Sequence, residues 1–217
     1  VTFRAYMDKH YQDACSEQRR LAADIALLEG LRQGTADVAA VKPWMEAYGL
    51  FRGITNEDRE EICKSFLAFS ASHSIRSKLS DDDVGEVYGE LFDVLYQVVA
   101  RAWTSASSKL LWCLYPSGMV IYDAFVHRAL VVLRCIDPDL AGFPSVGTAP
   151  NVNSRNDIKL VTAHYVNYQR IVKRLRDVHK ERLDQLRDHH KETYPYDIRI
   201  VDKLLWMIGN PSGEWKK

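Results

Sequence analysis

The chain has 217 residues with 29 basic and 29 acidic side chains, a formal net charge of zero, and is 47% hydrophobic and 27% charged. This is the composition of a globular protein with a full core, and it excludes a disordered or fibrous chain. Neutrality withholds the overall basic field of many nucleic-acid binders, so such a role would need a local basic face; no apolar run approaches the roughly 18 residues of a membrane span.

Helical spacing of apolar residues runs through almost the whole chain, with almost no alternating period. Phe3, Tyr6, Met7, Tyr11, Leu21, Ile25 and Leu28 recur at helical intervals over residues 2–32, as one long helix or as two broken near Ser16. Pro43 opens a short stretch, PWMEAYGLF. Thr55 then reads as the N-cap of a helix through NEDREEICKSFLAFSAS, with acidic residues in the first turn, where the helix dipole favours them. The same grammar returns with Ser80 as cap, Asp81 to Asp83 in the first turn, and Val84, Val87, Leu91, Val94, Leu95 and Val98 as the buried stripe. Two helices follow over residues 105–136 around a Tyr-Pro-Ser-Gly turn. Residues 137–156, rich in Pro, Gly, Ser and Asn, form the one long loop, and loops of that length tend to be functional or mobile. A helical pattern of about 36 residues begins at Asp157. It would extend roughly 50 Å before Pro195 stops it, and a last helix ends at Gly209. The expected fold is all-α, a single helical domain over residues 1–217.

Four cysteines, Cys15, Cys63, Cys113 and Cys135, lie far apart without a C-x-x-C pair, which predicts buried, reduced thiols in a cytosolic protein. No signal-peptide pattern is visible, and a cytoplasmic location is expected. His164, His179, His189 and His190 fall in the long helical stretch without the spacing that puts two ligands on one face, so no metal site is expected. Asp81 to Asp83 lack the loop glycine and distal glutamate of a calcium-binding EF-hand. G-x-G-x-x-G, P-loop and G-x-S-x-G motifs are also missing, which removes support for a nucleotide cofactor or serine hydrolase chemistry, and no cofactor is expected.

Chemistry concentrates in residues 107–130, SSKLLWCLYPSGMVIYDAFVHRAL. Ser105 or Ser107 is placed to cap a helix whose first turn holds Lys109. A lysine there opposes the helix dipole, and the same field weakens the amine's hold on its proton, which suits a nucleophile. Asp123 opens the next helix, where a carboxylate is favoured. A helix of about 11 residues from Lys109 spans about 15 Å, and residues 118–122 can cover that distance extended, bringing the two helix starts near one another. The plainer alternative is two solvated charges on helix surfaces. In the long helix, Arg170, Lys173, Arg174, Arg176, Lys180, Arg182 and Arg187 alternate with acids three or four residues away, as on a solvated face. The least diluted part, Arg170 to Arg176, is the better candidate for phosphate contact.

Three segments, SASSKLLWCLYP, VIYDAFVHRAL and IRIVDKLLWMIG, together resemble the helix-hairpin-helix DNA glycosylase superfamily. The likeness is nearest to the 8-oxoguanine DNA glycosylase branch and its small, divergent bacterial relatives. Where that family carries a glycine-rich hairpin of the form L-P-G-V-G-x-K, this chain has TSASSK. The resemblance implies two helical lobes around a cleft, divided as 1–104 and 105–217, in a monomer that binds double-stranded DNA and flips out a damaged or modified base. Lys109 would attack the sugar C1′, with possible cleavage at the abasic site, and Asp123 would stabilise the developing cation. Trp112, Tyr115, Tyr122, Phe125, His127 and Trp206 become candidate walls of the base pocket. Ser105, Ser107, Ser108, Arg76, Lys78, Arg128, Arg170, Lys173 and Arg174 become candidate DNA contacts. DNA repair or defence against phage are the roles implied. The alternatives are a catalytically inactive helical DNA- or protein-binding module of the same fold, and an unrelated helical interaction module.

Overall fold

The computed structural model describes residues 2–16, 18–73 and 79–210, the side chains of residues 18–22 excepted. Among them are ten α-helices, two single 3₁₀ turns and no strand, so the fold is all-α. The helices are α1 (Phe3–Cys15), α2 (Gln18–Gln33), α3 (Val38–Ala47), α4 (Asn56–Ser72), α5 (Val84–Val98), α6 (Thr104–Leu114), α7 (Ala124–Ile136), α8 (Ile158–Val178), α9 (Lys180–His190) and α10 (Asp197–Gly209). The loop between α7 and α8 holds the two 3₁₀ turns, Pro138–Leu140 and Arg155–Asp157.

Local chemistry accounts for four of the helix starts. Thr2, Asp37, Thr55 and Asp123 each accept a backbone N–H of the first turn through a side-chain oxygen, satisfying donors that a helix start leaves open. The first helical stretch is two helices that part at Ser16. Other boundaries differ from expectation. Pro43 lies inside α3 rather than opening it, because Asp37 caps the helix six residues earlier. Ser80 holds a turn over residues 81–83 through its hydroxyl, 3.2 Å from the Asp83 N–H, and α5 starts only at Val84. Val94 and Val98 are half-buried, and Tyr88 and Phe92 complete the buried stripe instead. The long C-terminal stretch is α8 and α9, parted at the buried His179. Cys15, Cys63 and Cys113 are buried as expected, but Cys135 is exposed on the outer face of α7.

The chain divides into two compact units. The first comprises Val1–Glu17, Val120–Thr148 and Val166–Lys217; the second comprises Gln18–Met119 and Ala149–Tyr165. The division by contacts therefore does not follow chain order, as 1–104 and 105–217 would.

In the first unit α10 packs against α7 and α1. Phe3, Met7, Tyr11, Val126, Leu130, Ile200 and Leu204 are buried there. Gly209 permits the closest approach, because a Cβ at that position would lie 1.8 Å from the Phe125 carbonyl oxygen. Asp137 is buried and fastens two starts at once, accepting the Phe3 N–H at 2.6 Å and the Asp139 N–H at 3.0 Å.

In the second unit α5 packs on α4 and α6, and α2 packs on α3 and α6, around Trp44, Ile62, Phe66, Leu91, Leu95, Leu110 and Leu111. The first half of α8 meets α5 where Tyr165 stacks on Tyr88 at 3.9 Å and Thr162 faces Gly89.

Candidate functional site

The segment that carries Lys109 starts with the connector 99–103. Trp103 is buried there and donates its indole N–H to the Val99 carbonyl at 2.8 Å, while Arg101 donates to the Arg52 carbonyl at 2.9 Å. The buried indole fixes where α6 begins, one residue later at Thr104. Ser105 and Ser107 therefore sit inside the helix rather than capping it, and Lys109 is its sixth residue, beyond the first turn. The dipole acts within the first turn only, so the expected effect of the helix start on this amine does not apply.

Lys109 is not a surface charge. It is 6% exposed. Its Nζ donates to the Ser105 Oγ one turn back at 2.6 Å and lies 6.0 Å from the centre of the Tyr48 ring. Ser107 and Ser108 are buried, and the Ser108 hydroxyl donates to the Ser105 carbonyl at 2.9 Å. Of the three serines considered for phosphate, only Ser105 is part-exposed, and it already receives the amine.

Two helices supply a group that the sequence reading did not single out. Asp24 of α2 is fully buried, and its Oδ1 accepts the Trp44 indole N–H at 3.0 Å and the Tyr48 hydroxyl at 2.8 Å. A signal was present in the sequence. Asp24, Leu27, Leu28 and Leu31 share one helical face, so this carboxylate had to enter the interior with its neighbours. Trp44 and Tyr48 lie four residues apart on α3 and at its C-terminal end, which puts both donors on one side.

In the first unit, Asp123 caps α7 as expected, with its Oδ1 accepting the Phe125 N–H at 2.9 Å. The extended piece before it is pinned from α8: Gln169 accepts the Val120 N–H at 3.3 Å, and the Tyr168 hydroxyl donates to the Ile121 carbonyl at 2.9 Å. Tyr122 is buried beside the Tyr168 ring, and its hydroxyl is pushed above the usual phenol range by burial and then by the Asp123 charge. One turn into α7, His127 Nε2 lies 2.8 Å from the Gly147 carbonyl, tying the helix to the long loop. Phe125 meets Trp206 edge-on at 5.9 Å and lies 5.4 Å below the Arg128 guanidinium. This half-buried pair, with His127, forms an aromatic surface around the α7 start.

Comparison with protein-family models and with curated proteins finds no match, and no solved structure matches the chain.

The remaining expected site residues divide by exposure. Trp112 and Tyr115 are buried core residues of α6 and its C-terminal end. Arg170 and Arg174 are exposed on α8 and Lys173 is half-buried; the Arg174 guanidinium covers the Phe143 ring at 4.4 Å. Arg128 is exposed, with Nη1 3.4 Å from the Gly209 carbonyl. Arg76 and Lys78 lie outside the described residues. The buried Arg199–Asp202 pair and Lys203 of α10, 5.6 Å from the Tyr194 ring, are polar groups that the sequence reading did not single out. Among the described residues no group of three or more His, Cys, Asp or Glu side chains is placed to hold a metal ion.

Proposed function

We propose that the protein is a DNA glycosylase that excises a damaged or modified base through attack of the Lys109 amine on the sugar C1′. The observation that carries this reading is the burial of Lys109, with its amine directed onto a hydroxyl and an aromatic face instead of into solvent. A buried lysine is costly to keep, and its uses include nucleophilic chemistry. Asp123, which opens α7, is the carboxylate that the sequence resemblance assigns to stabilising the sugar cation charge.

In the proposed reaction the amine lone pair forms the N–C1′ bond as the C1′–base bond breaks. The base leaves with the bonding pair and takes up a proton. Loss of the amine proton and opening of the sugar ring give an imine. Proton loss at C2′ then expels the 3′ phosphate with the C3′–O bonding pair, cutting the strand. Asp123 opposes the positive charge that builds on the sugar as the base departs.

Borohydride reduction of the imine tests the nucleophile. Duplexes each carrying one oxidised or alkylated base, or a modified pyrimidine, are incubated with the protein and borohydride, and a covalent adduct is expected with at least one. Lys109→Ala should abolish that adduct, whereas Asp123→Asn should slow base release by about 10²–10⁴-fold. An adduct that persists in Lys109→Ala rejects the assignment.

A further inference from the structure

We infer that Asp24 is a positioning residue that acts on the Lys109 amine through Tyr48. The inference deepens the reading of Lys109 as a nucleophile and rests on it for its catalytic meaning, although the charge relation it describes is a property of the folded chain.

The geometry forms a relay of three side chains, from α2, the C-terminal end of α3, and α6. Asp24 is fully buried on α2. Its Oδ1 takes both the Tyr48 hydroxyl and the Trp44 indole N–H, and its Oδ2 meets no hydrogen-bond donor among the described residues. A buried carboxylate engaged by two neutral donors is an expensive arrangement if its only purpose is to fasten α2 to α3, since an apolar pair would do so at lower cost. Two rings are held by that one oxygen, Trp44 and Tyr48, whose centres lie 4.4 Å apart. The Tyr48 ring in turn faces the Lys109 amine at 6.0 Å, the outer reach of a cation–π contact. A phenol that donates to a carboxylate is more electron-rich than one that donates to water, so its ring attracts a cation more strongly. Ser105 Oγ receives the amine on its other side. Asp24 thereby fixes the ring that fixes the amine.

Two measurements test the relay. Trace acetylation with acetic anhydride at constant pH, read by mass spectrometry, reports how much of each lysine is unprotonated, with exposed Lys191 as the internal reference. In Asp24→Asn and in the gentler Tyr48→Phe, Lys109 should label about fivefold faster than in the parent chain, the factor equivalent to ~1 kcal/mol of lost cation stabilisation, and Lys191 should not change. Borohydride trapping should then shift its pH dependence toward lower pH in the same variants. A structural role alone would raise labelling at buried lysines generally, Lys203 included, and leave the pH dependence of trapping where it was; that result overturns the inference, as does unchanged labelling of Lys109 in both variants. If labelling shifts as expected but the parent chain forms no adduct with any duplex, the relay stands and the glycosylase reading falls.

Discussion

Lys109 and Asp24 show how a single charged side chain becomes informative once its burial is known, and other residues allow sharper tests of the structure. Cys15 is pushed up to about 12 and Cys63 to about 11, in both cases chiefly by burial, which disfavours their thiolates. Cys135 alone of the four is exposed. A thiol-reactive disulfide reagent should therefore label one cysteine quickly in the native protein and the other three only on unfolding, with Cys135→Ser removing the fast phase. Asp137 ties the α1 start to the turn after α7 through two backbone donors. Replacing it by alanine leaves two N–H groups without their acceptor and should cost about 2–4 kcal/mol in urea unfolding, while asparagine, which keeps one oxygen, should cost less. His179 offers a pH test. Burial holds its imidazole below the ordinary value of 6.5, more strongly than Asp139 and Asp137 raise it. The unfolded chain then binds the proton first as pH falls. Stability attributable to His179 is complete above about 6.5 and declines below it, until the folded-state value is passed. The drop in urea midpoint from pH 7.5 to 5.5 should be smaller in His179→Gln than in the parent chain.

At the level of whole helices, the contact between α7 and α10 depends on one missing side chain. A methyl group at residue 209 would lie 1.8 Å from the Phe125 carbonyl. Backbone cannot swing aside as a side chain does, so Gly209→Ala should force the helices apart, cost about 3 kcal/mol and lower the melting temperature. Because Trp206 meets Phe125 edge-on near the same contact, its fluorescence should change too. Thr55 and Asp123 were legible as caps because capping is local: an oxygen, a vacant N–H and three or four residues of chain. The α6 start was not legible, because TSASSK offers three plausible caps and the choice is made by burial of Trp103, a tertiary event. Lys109 was singled out on a dipole argument that its position in the second turn removes, and its burial is a tertiary property that its neighbours in sequence do not reveal. Asp24 was readable as a carboxylate on an apolar face. Its two partners were not, since nothing in the spacing from residue 24 to residues 44 and 48 says that α3 lies beside α2.

For the molecule as a whole, zero net charge makes the proposed DNA contact a local matter. If Arg170 and Arg174 each meet a phosphate, replacing either by glutamine should weaken binding equally for damaged and undamaged duplexes. Each replacement should also reduce the slope of log affinity against log salt by about 0.9. An unchanged slope would remove those residues from the interface. No helix among the described residues is long and apolar enough to cross a membrane. The two units are assembled from interleaved pieces of chain, three for the first and two for the second. This has a consequence for synthesis. Residues 18–119 of the second unit emerge together, so α2 to α6 can begin to pack while translation continues. In the first unit α1 packs on α9 and α10, which come far later in the chain. Phe3, Met7 and Tyr11 must therefore wait, uncovered, until α9 and α10 have left the ribosome. Pairings so distant in sequence form slowly, and exposed apolar surface invites aggregation in the interval. α1 is thus made well before the helices that secure it, which makes it the natural place for a chaperone to hold the nascent chain.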